Sequence, residues 1–162
     1  MLLFVTCTSN TGDIRITSST NNMGDFGRDV EISYYSKGIL EFELFAPEIE
    51  TTMKQSKLFS KGITVYAYNI DLDTLATISA NFATENQEKD IFEVRKNVVL
   101  TNAQNEQLNT EKLFWDRSIK KIYTDEFVTL TTEKQIIMGF GFTSDQYFST
   151  YSLSNITATI YL

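Results

Sequence analysis

Glu41 and Glu43 sit two apart in a segment that alternates with Leu40, Phe42 and Leu44, so both carboxylates fall on one face of a strand. A paired acid is the requirement of glycosidase-type general acid–base work, and Glu41 with Asp116 would be the carboxylates of a small hydrolase or lyase. The alternation with large apolar residues instead makes Glu41 and Glu43 an outward, solvated row. Asn69, Asp71 and Asp73 have the spacing that opens a calcium loop. Thr74 stands where such a loop needs glycine, however, and Ala80 where it needs a bidentate glutamate, so the segment reads as a polar turn. Gly139-Phe140-Gly141-Phe142 lacks the lysine and following helix of a phosphate loop; its glycines mark a turn or bulge. Asn155-Ile156-Thr157 matches a glycosylation sequon but lies in a strand-patterned stretch. Trp115 and its aromatic neighbours read as core.

Composition narrows the chemistry further. The chain has 162 residues with no histidine and one cysteine, which excludes Ser-His and Cys-His nucleophiles, His-ligated metals and an internal disulfide. A net charge of −7 gives no basic excess with which to displace counterions from a nucleic acid. Hydrophobic residues make up 42% and charged residues 22%, a globular balance for one domain. Catalysis is thus disfavoured, and no cofactor or metal is expected. A binding role remains, and one form of it is a surface or periplasmic β-sandwich module taking glycan or protein through Tyr34, Tyr35, Tyr66 and Tyr68.

The N-terminal region differs from the rest. Residues 1–7 form a short apolar run ending at Cys7, and residues 8–27 are rich in Ser, Thr, Asn and Gly. Apolar run, cysteine and polar tether is the order of a bacterial lipoprotein processing site, with Cys7 as the lipidated residue. The run is shorter than a signal peptide and has no basic start, so a plain buried cysteine is the competing reading. The folded domain is expected over residues 28–162.

From Asp29 onward the period is two. Asp29–Ser36, Ile39–Ala46, Ile63–Tyr68, Thr74–Ala83, Asp90–Arg95, Asn97–Asn102 and Leu108–Trp115 have strand length and strand composition. So do Lys120–Thr124, Glu126–Thr131, Gln135–Phe140, Tyr147–Leu153 and Asn155–Tyr161. Lys54–Ser60 could hold one helical turn. Val98-Val-Leu100-Thr101 recurs as Val128-Thr-Leu130-Thr131, and Asp90-Ile-Phe92 is echoed by Lys121-Ile-Tyr123. The pattern predicts an all-β fold of stacked antiparallel hairpins, rolled or stacked like a solenoid.

The stretch from Asn97-Val-Val-Leu-Thr through Leu108-Asn-Thr-Glu-Lys-Leu-Phe-Trp-Asp116, with Ile122-Tyr-Thr-Asp-Glu-Phe-Val128 and Ile137-Met-Gly-Phe-Gly-Phe142, resembles the LptC family. That family is the periplasmic component of the lipopolysaccharide export bridge of Gram-negative bacteria. Upstream, Ile32-Ser-Tyr-Tyr, Glu43-Leu-Phe-Ala-Pro-Glu48 and Phe59-Ser-Lys-Gly-Ile-Thr-Val65 are similar to its first hairpins, so the likeness covers residues 28–161. Asn105 departs from the glycine common at that turn.

The resemblance implies an open β-jelly-roll (OstA-like) without catalytic residues, periplasmic and attached to the inner membrane. Lipopolysaccharide would arrive from the jelly-roll domains of an inner-membrane ABC transporter and leave to the next periplasmic jelly-roll by strand addition. The inward, groove-lining set expected here is Phe42, Leu44, Val65, Phe92, Val94, Val98, Leu100, Leu113, Trp115, Ile122, Val128, Leu130 and Phe140. From Tyr147 to the end the chain carries no charge and no proline. Asn155, Ile156, Thr157, Ala158, Thr159, Ile160 and Tyr161 are therefore expected to form an unguarded docking edge, with Ile156 and Ile160 extending the lining.

Overall fold

The computed structural model describes residues 14–17, 26–52 and 56–162. Cys7, the rest of the apolar run and most of the expected tether lie outside the described residues. Among the described residues, twelve strands form one antiparallel sheet: β1 (Ile14–Thr17), β2 (Phe26–Ser36), β3 (Ile39–Thr51), β4 (Lys57–Phe59), β5 (Ile63–Tyr68), β6 (Thr74–Ala80), β7 (Phe82–Asn86), β8 (Ile91–Asn102), β9 (Gln107–Asp116), β10 (Lys121–Thr131), β11 (Gln135–Asp145) and β12 (Tyr151–Tyr161). β1 falls inside the stretch read as tether, and β4 replaces the expected helical turn.

The sheet divides and rejoins. β3 pairs with β5 through residues 42–45 and with β4 through residues 50–51; β8 pairs with β7 through residues 91–95 and with β6 through residues 99–102. One arm therefore runs β3–β5–β6–β8 and the other β3–β4–β7–β8, and the long strands β8 to β12 contribute a half to each arm. The two arms face each other: Phe42 of the first meets Trp115 of the second with ring centroids 4.7 Å apart.

Each long strand changes arm at an irregularity. The ladder shifts register between Arg95 and Val98, between Tyr123 and Val128, and between Met138 and Gly139, and Asp29, Lys96, Asn97 and Gly141 have positive φ. A bulge bends its strand, and a row of them turns a flat sheet into a roll. The bend also explains three consecutive exposed residues, Arg95-Lys96-Asn97 in β8 and Asp125-Glu126-Phe127 in β10, each flanked by strict alternation. What read in sequence as breaks between short strands are corners within long ones.

The internal repeat has a simple spatial meaning. β8 and β10 flank β9, so Val98, Thr110 and Val128 lie side by side, as do Leu100, Leu108 and Leu130. The second row extends in both directions: Ile32, Leu44, Val65, Ile78, Leu100, Leu108, Leu130, Ile137 and Thr159 are successive partners from β2 to β12. The repeat builds neighbouring strands of a divided, rolled sheet rather than a solenoid.

Gly139 and Gly141 serve one corner. A Cβ on Gly139 would lie 2.4 Å from the Asn155 carbonyl oxygen, and Gly141 adopts φ +80°. A Gly139→Arg protein is expected to lose the β11–β12 ladder while the hairpins from β2 to β9 keep theirs. Amide exchange should report this, with protection lost first in residues 151–161. Undiminished protection there would refute the close-approach account.

Candidate lipid-lining interior and terminal edge

Every nominated lining residue except Phe140 is buried between the arms. Phe140 is 47% exposed and packs edge-on against Phe127, centroids 5.3 Å apart. The cause is the corner: Gly139 and Phe142 both point inward, three residues apart, so Phe140 is turned out and Phe142 takes the inward place. Ile32, Phe59, Leu108, Phe142 and Phe148 also belong to the interior and were not nominated. Phe59, Leu108 and Phe142 were hidden in short, polar-flanked or bulged stretches, and Phe148 lies in a loop.

Aromatic rings span the interior. Phe59 meets Phe92 at 6.2 Å, Phe92 meets Trp115 at 5.4 Å, and Phe42 adds Tyr147 at 6.2 Å on its other side. Trp115 Nε1 is buried without an acceptor. A cavity that Phe42, Val65, Ile78 and Trp115 line together has room for about 10 Å³, so the arms are closed on each other there. A larger recess of about 560 Å³ fills the gap where the sheet divides, lined by Asp29, Pro47, Lys61, Asn81 and Asn97 among others; its mixed polar wall suits an acyl chain poorly.

Charge closes one end of the interior. Glu85, 2% exposed, is held by Lys57 at 2.8 Å and Arg117 at 3.1 Å, and Arg117 also pairs with Asp90. The Arg117 guanidinium lies 4.5 Å from the centre of the Tyr34 ring, joining the arms there. Burial, reinforced by the Glu85 charge, pushes the Tyr34 hydroxyl well above the usual phenol range. Such a set is costly to desolvate and holds only because each charge is matched. Sequence reading missed it, because Arg117 looked like one residue of a polar turn.

The remaining candidates resolve into structure. Asp116 accepts hydrogen bonds from the Ser118 amide and hydroxyl and caps its turn. Glu43 accepts a hydrogen bond from Tyr68, and burial together with that bond raises the Tyr68 hydroxyl to about 12. Asn69 accepts from the amides of Asp71 and Asp73, an internally satisfied turn. Tyr34 is buried, which removes it from the surface aromatic set proposed for a glycan or protein module.

Between β11 and β12, Asp145 organises a loop. Its carboxylate accepts hydrogen bonds from the Tyr147 and Thr150 amides and from the Ser149 and Thr150 hydroxyls. Burial alone would raise this carboxyl, yet those bonds bring it down to about 2. A depressed pKa stabilises the fold above the unfolded value near 4, and that contribution is lost as pH falls through the folded one. Loop protection measured by amide exchange should therefore be constant from about pH 5 upward and fall between roughly pH 4 and pH 2. An Asp145→Asn protein should lack that acid transition, and an identical transition in it would refute the assignment.

Among the described residues β12 ends the sheet and pairs only with β11. Its first half is partly covered, whereas Asn155–Tyr161 is exposed throughout. Register puts Ile156 opposite Gly139 and Thr159 opposite Ile137, on the inward face, but Ile160 opposite Ile136, on the outward one. The expectation that Ile160 extends the lining is thus corrected by a register slip at the bulge between Met138 and Gly139; Ile156 and Thr159 hold those places. Ile156 is 58% exposed.

A divided, rolled antiparallel sheet with a continuous apolar inner row and two free edges defines the class as a β-jelly-roll. The family model for lipopolysaccharide assembly, LptC-related, matches residues 11–162, and the chain belongs to the LptC family. No curated protein matches it in sequence. The family acts in lipopolysaccharide transport as a periplasmic bridge component and is not a known enzyme family. No helix among the described residues is long and apolar enough to cross a membrane, and no group of acidic or cysteine side chains among them could hold a metal ion.

Proposed function

We propose that the domain receives lipopolysaccharide from the jelly-roll domains of an inner-membrane ABC transporter and passes it, acyl chains inward, to the next periplasmic jelly-roll added at β12. The observation that carries this reading is the row from Ile32 to Ile137, which crosses the sheet strand by strand and comes out uncovered at Thr159 on the terminal edge, with Ile156 of the neighbouring row exposed beside it. A passenger lipid needs no pocket of fixed polar contacts. Each methylene taken from water contributes about 0.8 kcal/mol, so a few sheltered chains suffice and remain transferable. The aligned apolar row supplies such shelter once the arms part. Lipidation of Cys7 would hold the domain at the inner membrane, with the polar segment after it as tether; two acyl chains are required for a stable hold.

The reading is tested by transfer. Membrane vesicles carrying the upstream transporter and lipopolysaccharide are mixed with the domain, and ATP is added. Lipopolysaccharide should move to the domain only with ATP. Transfer of equal extent without ATP, or none with it, would overturn the reading.

A further inference from the structure

Phe148 is the one buried hydrophobic residue among those described that does not stand on a strand. It lies in the β11–β12 loop at 0% exposure, in the left-handed region at φ 54°, a backbone state that a bulky side chain avoids unless its surroundings impose it. Its ring packs against Phe142 at 5.5 Å and Tyr151 at 5.1 Å, both on strands next to the terminal edge. Asn102, from the far end of β8, donates to the Phe148 carbonyl at 3.0 Å, and the Asp145 carboxylate gathers the rest of the loop. An apolar ring is thus held inside the roll by a loop, against side chains of the last two strands.

We propose that the socket filled by Phe148 is an acyl-chain subsite, occupied in the free protein by the chain's own phenylalanine. The inference rests on the lipid-carrying reading above and adds a location to it. The cavity between Phe42, Val65 and Trp115 has room for only about 10 Å³, so a chain entering between the arms there must displace something. Strand-borne side chains such as Leu44 and Leu100 are fixed by ladders on both sides. Moving Phe148 breaks no ladder; it releases the Asn102 bond and the left-handed backbone together. A linear hydrocarbon is the occupant that fits, because the socket is walled by the Phe142 and Tyr151 rings on the last two strands.

The test is binding of a dansyl-labelled fatty acid to the purified full chain, followed by fluorescence. Phe148→Gly empties the socket and accepts positive φ without strain. Its affinity for the probe should exceed that of the unchanged protein severalfold, and unlabelled myristate should compete. Ile63→Ala, at a buried strand position outside the lining set, opens a void under an intact ladder and should gain nothing. Asp145→Asn loosens the loop with the ring intact and should give an intermediate gain, keeping the test open should Phe148→Gly prove unstable. No gain in either loop variant, or an equal gain in Ile63→Ala, would overturn the proposal. If the loop variants gain nothing while ATP still drives lipopolysaccharide onto the unchanged domain, only the subsite fails. If the probe binds as expected and no lipopolysaccharide is ever transferred, the socket stands and the transport reading fails.

Discussion

Replacing Phe92 with aspartate will leave no folded domain at physiological temperature. Phe92 is completely buried, stacked on Trp115, in contact with Phe59 and 5.2 Å below the Arg117 guanidinium. Truncation to alanine alone should cost about 3–5 kcal/mol, the transfer free energy plus the cavity left in a close-packed interior. Aspartate adds an unsolvated carboxylate to that loss. A domain of this size has about 5–15 kcal/mol in total, so the alanine protein should be measurable in urea and the aspartate protein should not fold. Glu93, one residue on, points outward and pairs with Arg95 and Lys112 at the surface. Its replacement by glutamine should cost no more than about 1 kcal/mol. Equal losses at positions 92 and 93 would contradict the inward–outward assignment of β8.

Deleting Asn155–Leu162 will abolish strand addition to a downstream jelly-roll while the remaining roll stays folded. These residues are exposed on both faces and contribute nothing to the buried cluster. Their removal leaves Tyr151 and Leu153, which pack against the core, in place. What disappears is the free backbone edge, whose amides and carbonyls give strand addition its affinity. A gentler change, lysine at both Ala158 and Thr159, places charge on either face of that edge, as soluble β-proteins do to discourage pairing. It should weaken the complex strongly, by titration against the partner, without altering the melting temperature. A truncated domain that still captures the partner would move the docking edge elsewhere.

The all-β class, most strand positions and nearly all of the inward positions named were legible because alternation is a local signal. Asp29–Ser36 and Ile63–Tyr68 can be read residue by residue from their period of two. What was not legible is where alternation slips. Arg95-Lys96-Asn97 and Asp125-Glu126-Phe127 look like strand ends because they are polar or lose the period; only the ladders on either side show that β8 and β10 continue through them. The same slip misplaced Phe140 and Ile160, since one inserted residue at a bulge reverses every side chain after it. Loop residues carried no usable period at all. Phe148 falls in Tyr147–Leu153, which reads as a strand, and Arg117 looks like a turn residue. The strand starts only at Tyr151, and the burial of both depends on partners far away, Asn102 for one and Tyr34 with Glu85 for the other.

Adjacent positions on β9 offer the most direct test of the central claim. Trp115 is buried between the arms, and Phe114 stacks outward on Tyr123 at 5.4 Å, so one strand presents an inner and an outer aromatic side by side. A benzophenone amino acid replaces each in turn with little change of volume, and the protein is irradiated during ATP-driven transfer from transporter vesicles. The account predicts a lipopolysaccharide adduct at position 115 that requires ATP, and none at position 114. Adducts of equal yield at both positions, or an adduct at 114 alone, would contradict passage of the lipid through the interior.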